Sequence, residues 1–174
     1  MNQITRLLIL PSILLLVASA AAQRSPDPAE DFYKMTKAAP AAFQKGEFAK
    51  AAAVADALLV EAERWPRNWN YGNAVHVANL VLGRIALAND DRDKAVKFLI
   101  AAGKTPGSPQ LNTFGPDMVF AKEMLQKGET EAVIAYLDLC GKFWEKRFEQ
   151  LDEWKEQIAR GEIPDFGANL RYYF

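Results

Sequence analysis

The sequence predicts an all-α protein, one helical domain behind a leader. Three observations carry this. Residues 71–88 hold Ala74, Val75, Val77, Ala78, Leu80, Val81, Leu82, Ile85 and Ala86, which at ~100° per residue cover most of a helix circumference. A helix apolar nearly all round is a buried one. Residues 47–64 and 129–160 also carry apolar side chains at helical spacing: Ala51, Val54, Ala55, Leu58, Leu59 and Ala62 in the first, Leu137, Cys140, Phe143, Trp144, Phe148, Leu151, Trp154 and Ile158 in the second. No segment alternates apolar and polar residues as a half-buried strand does. A chain of 174 residues is long enough for one core, and the expected division is a signal peptide at 1–22 and a single helical domain at 23–174.

The leader is read from Arg6, an apolar run at 7–18 interrupted by Pro11, and the Ala18-Ser19-Ala20 and Ala20-Ala21-Ala22 cleavage patterns. The run falls short of the ~20 apolar residues of a membrane span. The expectation is export, to a periplasm or beyond, with no stable membrane insertion after cleavage; an uncleaved anchor is the alternative. Cys140 is the only cysteine, which excludes an internal disulfide and a lipid-modified cysteine at the leader's end. It is expected as a small core hydrophobe rather than a reactive thiol. Loss of Arg6 with the leader leaves 20 Lys+Arg against 22 Asp+Glu, a net charge of −2. That balance offers no electrostatic case for nucleic acid or an anionic membrane.

The elements follow in order. Asp27 caps and Pro28 opens a helix that runs to Gln44. Pro40 lies inside it, where a kink or break is expected. Gly46 ends it, and the next helix spans 47–64 before Trp65-Pro66. The apolar helix at 71–88 is followed by a polar turn, a helix at 94–102, and a loop at 103–117 without secondary structure of its own. Gly115-Pro116-Asp117 signals a new start, giving a short helix at 118–127. A long helix is expected from 129 to 160, weakened at Gly141, where glycine costs ~1 kcal/mol against alanine and the helix bends or splits. Gly161 and Pro164 stop it, leaving an extended, non-helical tail to Phe174.

Three helix joints share a signature: Gly46-Glu47-Phe48-Ala49-Lys50-Ala51, Asp90-Asp91-Arg92-Asp93-Lys94-Ala95 and Gly128-Glu129-Thr130-Glu131-Ala132-Val133. Each is a tight turn with an acid, then a small residue inside the next helix. This resembles the turn of tetratricopeptide repeats, in which the small residue lets paired helices approach closely. Leu82-Gly83 precedes Ala95 as that family's Leu-Gly pair precedes its second-helix alanine; the equivalent places are Ala38-Ala39 and Phe120-Ala121. The intervals are 44 residues (51 to 95) and 38 (95 to 133), against ~34 in the family, so the resemblance is to a degenerate array. The chain is similar to uncharacterised bacterial exported proteins of this type. The resemblance implies a stack of about three helical hairpins, with a concave surface for a protein or peptide partner.

Chemical motifs are few. Gly103-Lys104-Thr105 lacks the earlier glycine of a phosphate-binding loop, Phe98 standing in its place, and it follows a helix where that motif follows a strand. Asp91-Arg92-Asp93 lacks the glycine and distal glutamate of a calcium loop, and one histidine with one cysteine builds no usual zinc site. Pro106 and Gln110 flank Gly107-Ser108-Pro109 where a nucleophile elbow has glycines. No cofactor, metal or catalytic residue is assigned on these grounds.

The polar members of the 71–88 helix, Asn73, His76 and Asn79, share one narrow stripe, and buried polar groups need partners. The loop at 103–117 is the nearest source, through Asn112, Thr113 or Asp117. Trp65, Trp69 and Tyr71 line a groove or plug a gap between hairpins. The candidate binding set is therefore Trp69, Tyr71, Asn73, His76, Asn79, Asn112 and Asp117. The expected function is an exported binding or scaffolding module. The alternative is a small envelope hydrolase or lyase, with His76 as acid or base and Asp117 orienting it.

Overall fold

The computed structural model describes residues 29–171, the side chains of Lys146 and Phe148 apart. The leader at 1–22, the Asp27-Pro28 helix start, the Phe148 side chain and the Tyr172-Tyr173-Phe174 end lie outside the described residues. The chain is all-helical there: α1 (Glu30–Gln44), α2 (Phe48–Ala62), α3 (Tyr71–Ala88), α4 (Arg92–Gly103), α5 (Pro109–Phe114), α6 (Val119–Gln126), α7 (Thr130–Cys140) and α8 (Phe148–Ala159). Short 3-10 turns stand at Glu145–Arg147 and Gly167–Leu170.

The three joints close in one way. Gly46, Asp90 and Gly128 take φ of 74°, 59° and 85°. Their N–H groups donate to Phe43 O, Leu87 O and Leu125 O, and the next N–H groups, of Glu47, Asp91 and Glu129, donate to Ala42 O, Ala86 O and Met124 O. This is the Schellman closure of a helix end, with a left-handed residue one place past the cap. Gly161 repeats it at the end of α8, with Glu162 donating to Gln157 O. After each of the first three closures the small residue of the next helix, Ala51, Ala95 or Val133, is fully buried.

Packing follows from these turns. α1 lies on α2, α2 on α3 and α3 on α4, while α1, α3 and α6 are neighbours in one row and α4 meets α7. α3 is the shared wall. Its Ala74, Val77, Ala78 and Val81 face a core built with α1 and α2, and its Leu80 joins a second core with α4, α6, α7 and α8. Gly83 marks a close approach of α3 to α6, because a Cβ there would collide with the Phe120 ring.

Four expectations need correction. Pro40 does not break α1, which is continuous from Glu30 to Gln44 with Pro40 buried in it. The 103–117 segment is not without structure, since it carries α5. Ser108 Oγ accepts the Leu111 N–H at 3.0 Å, Pro109 fills the first turn, and Gly115 at φ 91° ends the helix. The helix expected over 129–160 is split, the second of the two outcomes expected at Gly141, so the single long C-terminal helix is two. Gly141 begins a turn that buries Phe143 and Trp144, and α8 folds back on α7, where Lys155 bridges to Asp138 at 3.0 Å. Burying two adjacent large aromatics outside a helix outweighs the backbone bonds of one uninterrupted helix. The segment after α8 is also not the extended, non-helical tail expected: it returns to the body and forms the 3-10 turn Gly167–Leu170, with Phe166 buried against the Trp154 ring at 5.0 Å.

Candidate functional site

Asn73, His76 and Asn79 of the predicted polar stripe are buried, and each has at least one hydrogen-bond partner. Asn70 Nδ2 donates to Thr36 Oγ1 of α1 at 2.9 Å. Asn73 Nδ2 donates to Asn70 Oδ1 at 3.1 Å and to Gln110 Oε1 at 3.0 Å, and its Oδ1 accepts from Ser108 Oγ at 2.6 Å. Thr105 Oγ1 donates to Gly72 O at 2.8 Å, where a Cβ on Gly72 would overlap the Gly107 carbonyl. The loop therefore folds over the start of α3, as the need for partners implies.

His76 is 0% exposed. Nδ1 lies 3.1 Å from Ala102 O, which can only accept, so Nδ1 carries the proton; Nε2 accepts the Asp117 backbone N–H at 3.3 Å. Burial pushes its pKa down to about 4, opposed in part by the Ala102 bond. The ring is neutral and neither nitrogen faces solvent. Asp117 meets His76 through the main chain, and its carboxylate instead accepts the Val119 N–H at 2.9 Å. Tyr136 Oη donates to Asp117 O at 3.1 Å, and burial raises that phenol's pKa as it does that of the Cys140 thiol. No step of acid–base catalysis has a free participant in this arrangement.

The other predicted residues scatter. Asn79 Nδ2 donates to Val75 O of its own helix at 2.7 Å. Asn112 is exposed, its Oδ1 accepting the Ser108 N–H at 3.1 Å, so it braces the loop without reaching α3. Trp69 is 50% exposed and stacks on Tyr33 at 5.3 Å. Tyr71 is half-buried beside the first core, and Trp65 Nε1 donates to Glu61 Oε1 at 2.9 Å. The sequence reading missed Thr105, Ser108 and Gln110. The Ser-Pro pair, a cap followed by proline in the first turn, was the signal available for α5.

Several concavities lie elsewhere among the described residues, and two of them sit on surfaces built by separate helices. On the row formed by α1, α3 and α6 a groove of ≈ 320 Å³ is lined by Phe43, Arg84, Leu87, Glu123, Gln126 and Lys127. Arg84 pairs with Glu123 through two bonds of 2.8 and 2.6 Å and lies 4.3 Å over the Phe43 ring. At the other end, between α5, α8 and the returning segment, a cavity of ≈ 450 Å³ has Phe114, Trp144, Trp154 and Phe166 among its walls. Asn169 holds that region together, donating from Nδ2 to Phe114 O at 3.0 Å and Pro116 O at 2.8 Å while its carbonyl accepts the Met118 N–H at 2.8 Å. Among the described residues no cluster of His, Cys, Asp and Glu could hold a metal ion, and no helix is long and apolar enough to cross a membrane. Comparison with family models, with curated proteins and with solved structures finds no match.

Proposed function

We infer that the chain is a degenerate tetratricopeptide-like stack of three helical hairpins, α1–α2, α3–α4 and α6–α7, acting as an exported binding or scaffolding module for a protein or peptide. The observation that carries the reading is the common closure at Gly46, Asp90 and Gly128, each followed by a buried small residue. Equivalent joints generate equivalent hairpins, and stacked hairpins offer a continuous face. The α1, α3 and α6 row supplies that face, and its groove combines the half-buried Phe43 and Leu87 with the exposed Gln126 and Lys127. The sealed environment of His76 supports a binding role over a hydrolase or lyase centred on His76 and Asp117. Export rests on the leader pattern of residues 1–22.

The test uses tagged protein without residues 1–22 as bait in envelope extracts, beside the double variant Gln126→Arg/Lys127→Glu, which alters only exposed groove side chains. A polypeptide retained by the first bait and lost from the second is the expected outcome. Retention of nothing, or equal retention by both, sinks the reading.

A further inference from the structure

The cavity between α5, α8 and the returning segment exists because the sequence departs there from its own regular pattern. The helix expected to run from 129 to 160 breaks after Cys140, and the break delivers Trp144 to the cavity wall. Such departures concentrate at functional positions. Trp144 is 4% exposed, and its ring packs 2.6 Å from where a Gly115 Cβ would stand. Gly115 at φ 91° is thus required twice, by its backbone and by the indole. Trp154 lies 5.9 Å from Trp144, and Phe166 closes edge-on against Trp154. The walls are flat, apolar and held in place by Asn169.

The polar groups point to the occupant. The indole nitrogen of Trp144 is buried and has no hydrogen-bond partner, and indole nitrogen is a donor only. Buried donors are almost always satisfied. Water does not reach this one as the cavity stands, and the ring that carries it forms part of the cavity wall, so an occupant that presses into that wall would supply the acceptor. Arg147 and Arg171 stand at the rim against one acid, Asp165, whose Oδ1 already accepts the Gly167 N–H at 2.9 Å. Neither arginine forms an ion pair among the described residues. The site has donors, an excess of positive charge and aromatic walls, in a volume within the ~300–1,000 Å³ of ligand pockets.

We propose that this cavity binds a carboxylate with a flat apolar body, its head at Arg147 and Arg171 and the Trp144 indole N–H donating to it. Guanidinium forks match the two oxygens of a carboxylate. The chemistry is shared by a free aromatic acid and by a polypeptide C-terminus ending in an apolar residue. The proposal does not rest on the hairpin-stack reading, whose groove lies on α1, α3 and α6, and its failure would leave that reading standing.

The experiment is a titration of the full chain with 3-phenylpropionate, 3-phenylpropionamide, inorganic phosphate and acetyl-Gly-Gly-Phe. Indole N–H resonances are followed in 1H–15N spectra, with Trp144 assigned by the signal lost in Trp144→Phe. The expected result is a saturable shift of the Trp144 resonance by an acid. Binding should weaken about tenfold or more for the amide and for Arg147→Gln/Arg171→Gln, a variant of two exposed side chains whose melting midpoint should stay at the wild-type value. Tighter binding of the peptide than of phenylpropionate assigns the source to a polypeptide end; equal or tighter binding of the free acid assigns it to a small metabolite. Either supports the site. The proposal is overturned if acid and amide bind alike, if phosphate binds as well as the acids, or if the Trp144 resonance is unmoved at millimolar acid, which would leave a resident water as the indole's acceptor.

Discussion

His76 spends both ring nitrogens on main-chain groups, and its pH behaviour follows. Its folded pKa of about 4 lies below the ordinary ~6.5, so between those values the unfolded chain binds the proton more readily. The stability this supplies is complete above pH ~6.5 and is lost as pH falls towards ~4, by about 3 kcal/mol in all. His76→Gln removes that titration, so its urea stability should fall less steeply than wild type over the same window; parallel curves would show that the imidazole is solvated. Gly83 sets two effects against each other. Alanine gains ~1 kcal/mol in helix propensity, but its Cβ meets the Phe120 ring and, at 3.1 Å, the Phe98 Cβ. Overpacking costs ~1–3 kcal/mol, so Gly83→Ala should lower the urea midpoint, and a raised midpoint would place α6 further from α3. At this scale the sequence showed that Asn73 and His76 need partners and that the loop supplies them. It did not show which side chains, because α5 was unseen. Its turn sends Asn112 and Thr113 outward and brings Ser108 and Gln110 to Asn73.

At the level of elements, the joints differ in one respect: the left-handed position is glycine at 46 and 128 but aspartate at 90. A side chain there costs ~1–2 kcal/mol, offset partly by the smaller entropy of the unfolded non-glycine chain. Asp90→Gly should therefore stabilise by about 0.5–1 kcal/mol and Gly46→Ala should destabilise by at least as much, both read from urea midpoints. The 3.8 Å contact between Asp90 and Arg92 is exposed and adds little. The helices of the first two hairpins were legible because turn residues and apolar periodicity agree there, and α3 was read to its end residues. The α7–α8 break was only half legible. Gly141 is visible as a weak point, but the aromatic spacing of Phe143, Trp144 and Trp154 suits an unbroken helix equally well. What decides is the space beside Gly107 and Gly115, which Phe143 and Trp144 fill and which no local pattern reveals.

Across the whole molecule, α3 belongs to both cores, so the two halves cannot melt separately. Val77→Ala in the first core and Leu99→Ala in the second should each lower a single, shared unfolding transition, by about 1–2 and ~2–5 kcal/mol; two resolved transitions would divide the domain. The all-helical class was legible from periodicity alone, whereas the arrangement of the chain's last third was not, since it depends on contacts between segments far apart in sequence. The proposed export gives a further prediction: mass spectrometry of the protein from its native host should find an N-terminus near Ala21 or Gln23, and intact Met1 on cytoplasmic protein would end that reading. The Asn169 clasp has a consequence in time. Its amide closes on Pro116 O across 53 residues of chain, which synthesis at ~5–20 residues per second takes roughly 3–10 s to add. For that interval the segment from α5 to α6 has emerged without the group that fastens it, so the domain's C-terminal half stays open until α8 and the Gly167–Leu170 turn beyond it have been made.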